Sequence, residues 1–157
     1  MTHDLTALET WASTLLAQLD PAARRKLNLQ VAQDLRRSQQ QRIKAQQNPD
    51  STPYASRKQR KDFKKKQGRI KKKKGAMFNK LRTATHLKVK ADGNHIEVGF
   101  IGRVARIARV HQFGLKDKVS LNGPEVKYAE RALLGFTATD RDLIQESVLR
   151  HLMGGNT

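Results

Sequence analysis

Residues 57–74, RKQRKDFKKKQGRIKKKK, cannot enter a protein core. Twelve of these eighteen residues are Lys or Arg and one, Asp62, is acidic, a net +11 within a chain that carries +18. Unpaired charges are too costly to bury, so a core must be assembled from the two flanks of the run. The flanks differ. Residues before the run read as helix; residues after it mix strand with helix and hold most of the aromatic side chains. The expected fold class is α+β within one structural domain. An N-terminal helical hairpin covers 1–48, a long basic loop or linker covers 49–76, and an α+β body with a small antiparallel sheet and flanking helices covers 77–157.

The N-terminal flank shows helical periodicity. Leu5, Leu8, Ala12, Leu15, Leu16 and Leu19 fall on one face of a helix over 4–19, with Trp11 at its edge. Asp20-Pro21 starts a second helix, Asp20 as N-cap and Pro21 in the first position. Ala23, Leu27, Val31 and Leu35 line that helix. Its apolar stripe then stops: in Arg36–Gln47, RRSQQQRIKAQQ, Ile43 is the lone large apolar residue. Such a segment is expected to fray or to lie against something outside the chain's own core. Asn48-Pro49 is expected to end it.

Beyond the basic run, residues 84–100 read ATHLKVKADGNHIEVGF. The period of two predicts a β-hairpin, and Asp92-Gly93 suits a two-residue turn with both positions at positive φ. That register pairs Lys90 with His95, Val89 with Ile96, Lys88 with Glu97 and Leu87 with Val98. Residues 102–113 follow as a helix with Val104, Ile107, Ala108 and Val110 on its apolar side and Gly114 at its end. Residues 115–125 read as a loop and Val126–Tyr128 as a short third strand. Thr139 with Asp142 resembles a capping box for a last amphipathic helix carrying Leu143, Ile144, Val148 and Leu152.

The charge points to an anionic partner. The candidate contacts are Arg57, Lys58, Arg60, Lys61, Lys64 and Lys65, continuing with Lys66, Arg69, Lys71, Lys72, Lys73 and Lys74. Arg103, Arg106 and Arg109, three apart on the second half's first helix, join them. Neutralised phosphates release counterions, so such a run supplies non-specific nucleic-acid affinity; a solvated loop or a contact with acidic subunits fits the same residues. Phe63 is the run's one ring, and no recognition helix or zinc module accompanies it, so sequence-specific readout is not expected. Hydrophobic residues make up 37% of the chain, below a typical globular composition. A thin core follows, with stability shared through other subunits.

No catalytic constellation stands out. There is no phosphate-binding glycine loop, nucleophile elbow or spaced pair of acids, and His111 reads as locally hydrogen-bonded rather than catalytic. The expectation is a protein that is no enzyme and uses no cofactor. His86 and His95 lie on neighbouring strands without a carboxylate cluster, so no metal site is expected. With no cysteine, disulfides are excluded, which fits a reducing compartment. No apolar run is long enough to span a bilayer and the N-terminus lacks a secretory leader pattern, so no membrane partner is expected.

Several motifs carry a resemblance: RRSQQQRI with NPDSTPY at 48–54, VHQFG at 110–114, and the closing Arg131, Leu133, Leu134, Gly135, Thr137 and Asp140. In these the chain resembles the tail completion protein S family of contractile-tailed phages, the phage virion morphogenesis family, across roughly residues 5–152. It departs from the family pattern at Ala129-Glu130, where the pattern has proline and arginine. The resemblance implies a structural virion protein for tail completion and head–tail joining, assembled in the bacterial host cytoplasm. It implies a homo-oligomeric ring, a hexamer, at the head-proximal end of the tail. Its neighbours would be tail-terminator and head-connector proteins, with double-stranded DNA in the lumen. The alternative is a non-specific nucleic-acid-binding protein acting through 57–74. In the ring, the Asp92-Gly93 hairpin, the 103–109 helix and the segment Arg36–Gln47 are expected to build the subunit contacts.

Overall fold

A computed structural model describes residues 2–57 and 76–154. Its elements are α1 (Thr2–Leu16), α2 (Pro21–Ala45), β1 (Leu87–Ala91), β2 (Ile96–Phe100), α3 (Arg103–Gln112), β3 (Lys116–Lys118), β4 (Glu125–Lys127) and α4 (Ala138–Gly154). The architecture is α+β: four helices with two small antiparallel two-stranded sheets, β1–β2 and β3–β4, among the described residues. Lys58–Lys74 lie outside the described residues.

The long helix α2 is the axis. Asp20 caps it, its carboxylate accepting from the N–H groups of Ala22 and Ala23 at 2.8 and 3.1 Å, and Pro21 occupies the first turn, where its missing N–H costs nothing. Leu27, Val31 and Leu35 are buried with Val148 of α4; Trp11, Leu15, Leu16 and Leu19 close this cluster from the N-terminal side, Ile96 and Val98 from the first sheet. A second cluster lies at the other end of α2, where Ile43 packs with Tyr54, Leu81, Ala108 and Leu133.

The expectation for Arg36–Gln47 is overturned. The helix continues to Ala45, and Gln39, Arg42 and Ile43 are 5%, 8% and 0% exposed within this chain's own core. The face is polar because it packs on main-chain carbonyls rather than on side-chain hydrocarbon. The helix also ends earlier than Asn48-Pro49: Gln46 turns left-handed at φ 61°, and the N–H of Gln47 reaches back to the Arg42 carbonyl at 3.2 Å, a glycine-type cap formed without glycine. The Gln46 amide then pairs with both main-chain groups of Met77, at 2.7 and 2.9 Å.

The hairpin forms, but its register is displaced by two residues. Val89 faces Val98, Lys90 faces Glu97 and Leu87 faces Phe100. The loop residues are Gly93-Asn94, and neither has positive φ. Asp92 decides this. Its carboxylate accepts from the N–H groups of Asn94 and His95 at 2.7 and 2.9 Å, while its carbonyl is taken by Asn28 of α2 at 2.7 Å. An aspartate at the first turn position caps its own turn. A slip of two preserves every side chain's face, so Leu87, Val89, Ile96 and Val98 still share one side; the cross-strand ion pair becomes Lys90–Glu97, 3.6 Å apart.

Three smaller expectations are corrected. Lys116–Lys118, read as loop, pairs with Glu125–Lys127 in a separate second sheet. The capping box of α4 sits two residues earlier than Thr139 and Asp142: Thr137 Oγ1 accepts from the Asp140 N–H at 3.0 Å and Asp140 Oδ2 from the Thr137 N–H at 2.9 Å. Ile107 is 45% exposed rather than core.

Candidate functional site

Of the residues expected to meet an anion, Arg57, Arg103, Arg106 and Arg109 are among the described residues. Arg57 is exposed at the end of the described N-terminal segment. Arg103, Arg106 and Arg109 are exposed on α3, which ends in a left-handed Gly114 (φ 60°) and a bond from the Leu115 N–H to the Val110 carbonyl at 2.9 Å. Arg106 is engaged by Asp117 of β3. Arg109 stands at the rim of an apolar groove of about 300 Å3 lined by Phe100, Ala105, Ala108, Gln112, Phe113 and Leu134. Phe113 is 61% exposed beside it.

The polar residues that do converge were not foreseen as a site. They surround the segment 129–135, which crosses from the second sheet to α4 as irregular backbone. Arg42 donates to the carbonyls of Ala132 and Leu133, each at 2.8 Å, and to that of Gln47 at 3.1 Å. Asn48 Oδ1 accepts from the Ala132 N–H at 2.9 Å, and the Tyr54 hydroxyl donates to the Ala132 carbonyl at 3.3 Å. Gln112 takes both main-chain groups of Leu134, its oxygen and nitrogen each 2.9 Å away. Gln39 accepts from the Gly135 N–H at 3.2 Å. A partly buried stretch without secondary structure satisfies the backbone groups it withdraws from water this way. These side chains replace the ladder that a neighbouring strand would supply.

Arg131 anchors the other end of that segment. It is 4% exposed and donates to the carbonyls of Ala55 at 2.7 Å and Ser56 at 2.9 Å. Its guanidinium also lies 3.1 Å from His111 Nδ1. The His111 ring is edge-on to Phe78 and Tyr128, centroids 4.8 and 5.1 Å away. Burial, then the charges of Arg131 and Arg57, push the His111 pKa down to about 4. Burial also lowers the pKa of Arg42 and Arg131 and raises that of Tyr54. At Asp140, 1% exposed, the carboxylate takes the Thr137 N–H, the Ser38 hydroxyl and the Gln39 amide, tying the start of α4 to the middle of α2.

NPDSTPY, VHQFG and the Arg131–Asp140 motif are thus neighbours in space, joined through α2. A model of the phage virion morphogenesis family matches residues 3–153, nearly the whole chain. The chain belongs to the phage virion morphogenesis family. It is similar to the tail completion protein S of Escherichia phage P2, at 43% identity over 139 residues, which covers 88% of this chain and 90% of that protein. No solved structure matches the chain.

In this family member the motif residues hold chain segments together. The arrangement around His111 gives it a neutral ring accepting from Arg131, with no nucleophile among its described contacts. Among the described residues no group of three or more His, Cys, Asp or Glu could hold a metal ion, and no helix is long and apolar enough to cross a membrane. Gln39, Arg42, Asn48 and Gln112 went unread as a cluster because Gln112 is far from the other three in sequence, and polarity alone does not say that a side chain is buried.

Proposed function

We propose that this protein is a structural virion component that completes the phage tail and joins it to the head. It acts as a homo-oligomeric ring, a hexamer, at the head-proximal end, between tail-terminator and head-connector proteins. The observation that carries this is the 43% identity to the tail completion protein S of phage P2 over 88% of the chain. The surface offers apolar side chains for subunit contacts: Ile101, Phe113, Leu121 and Phe136 are 45%, 61%, 91% and 49% exposed. The role is one of binding rather than catalysis.

The basic residues 57–74 take the anionic contacts of that ring, with the duplex in its lumen or with an adjoining ring. The charge of the run favours this.

Removing the gene from the phage that encodes this protein tests the role. Filled heads and unjoined tails should accumulate in the host, and the purified protein should restore infectivity to the mixture. Normal virion yield without the protein overturns the proposal. A protein that acts only on nucleic acid would bind duplex with steep salt dependence yet be missing from purified virions.

A further inference from the structure

The outward face of α4 is neither fully polar nor fully apolar. Asp142, Glu146, Leu149 and Met153 are exposed, the last two at 45% and 87%. Their spacing of four, three and four residues puts them on one stripe of the helix. The acids occupy its N-terminal half and the apolar side chains its C-terminal half. Neither Asp142 nor Glu146 forms an ion pair among the described residues, although the chain holds 32 Lys and Arg.

The exposed flank of α3 has the complementary order. Arg103 and Arg106 stand in its first turns, Arg109 follows, and Phe113 closes it, 61% exposed. Arg103 and Arg109 also form no ion pair among the described residues. At ~1.5 Å per residue the stretch from Arg103 to Phe113 is about 15 Å long and that from Asp142 to Met153 about 16.5 Å. Laid side by side in the same direction, the two helices would set acids against arginines and Leu149 and Met153 against Phe113.

We infer that α3 of one copy docks on α4 of the next. This rests on the ring proposed above and names its faces. The occupant is a second copy because the same chain carries both complementary faces: two chains of +18 repel at long range, and setting Asp142 and Glu146 against Arg103 and Arg109 gives them a face along which opposite charges meet. The two patches are different surfaces of one subunit, so the contact is head-to-tail, the kind that generates a closed ring.

Charge reversal in pairs tests it. Arg103→Glu with Arg109→Glu, and separately Asp142→Lys with Glu146→Lys, should each lower self-association at least tenfold by analytical ultracentrifugation, with circular dichroism and melting unchanged. Mixing the two variants should restore oligomers, because each then offers the face the other lacks, and only mixed species should form. Wild-type oligomers with both variants still assembling alone, or a mixture that stays dissociated, overturn the inference and leave the ring standing. Full-length wild-type protein that is monomeric both at high concentration and in isolated virion necks overturns the ring itself. If the arginine variant loses only duplex binding and keeps its oligomer, α3 faces DNA and the α3–α4 contact is wrong.

Discussion

Arg131 and His111 are joined twice. The Arg131 N–H donates to the His111 carbonyl at 2.7 Å, and the Arg131 guanidinium meets His111 Nδ1 at 3.1 Å. A guanidinium has only donors, so Nδ1 must be the bare, accepting nitrogen. Burial of the ring is the main reason its pKa falls to about 4, and the charge of Arg131, which opposes a second proton on the ring, lowers it further.

Stability should therefore fall with acid in a defined window. His111 stays neutral in the fold down to about pH 4, whereas an unperturbed histidine titrates near 6.5. Between those values the unfolded chain binds more protons, so stability is lost as pH drops from about 6.5 to about 4. The loss should be on the order of 1–2 kcal/mol, allowing for solvent screening at a half-exposed ring. Denaturant titrations at several pH values should show this slope in the wild type and a shallower one in His111→Gln. Identical slopes would place the sensitivity elsewhere.

Arg42→Met keeps the stem's bulk but strands the carbonyls of Ala132, Leu133 and Gln47. The cost should be about 3 kcal/mol or more, a fall in Tm of roughly 6–12 °C for a chain of this size. Arg42→Lys should recover little, because one ammonium cannot span the fork that reaches these oxygens. A melt of Arg42→Met within 2 °C of wild type, by an order-of-magnitude allowance, would show that these contacts add no net stability.

Gly135→Ala tests a close approach. A Cβ built there lies 2.5 Å from Pro49 Cγ, and a proline ring has little room to yield. Destabilisation of about 1–3 kcal/mol is expected. Pro49→Ala in the same chain should relieve part of it, and a double-mutant cycle reads the coupling. Strict additivity would argue that the two residues do not press on each other.

Asp140→Ala removes two supports of a helix start at once. The carboxylate's half of the capping box, its bond from the Thr137 N–H, is lost, and so is the tie to Ser38 and Gln39, while the residue-140 N–H can still reach Thr137 Oγ1. A loss of about 2–4 kcal/mol is expected. Amide exchange at 138–142 should quicken more than at 148–152, since the damage lies in the first turn. Uniform quickening would instead mean that the whole helix has detached.

Much of the fold was legible because local chemistry had no competitor. Asp20-Pro21 could only begin a helix, and alternation over 87–91 and 96–100 could only form a strand pair. The faces of that hairpin were legible too. Its register was not, because Asn28, sixty-four positions away, takes the Asp92 carbonyl and Asp92 caps the turn with its own carboxylate. The α4 start moved by two residues for a similar reason: Thr139 and Thr137 both offer a hydroxyl, and the partner carboxylate at Asp140 is held by α2.

The candidate site divides in the same way. Sequence identified the charged residues and, through NPDSTPY, VHQFG and the Arg131–Asp140 motif, the family. It misread Arg36–Gln47, because a helix face of Gln and Arg looks like surface until a carbonyl-rich segment is laid across it. What the sequence by itself determined was the helices and the first hairpin in their order, the Asp20 cap of α2, the apolar faces of that hairpin and of the first two helices, and the charge, all consequences of neighbours within a few residues. What only the tertiary structure decided was which polar side chains are inside. Segment 129–135 leaves its backbone groups unpaired locally, and buried backbone must find partners; Gln39, Arg42, Asn48 and Gln112 are those partners only because α2, α3 and the chain after α2 converge on it.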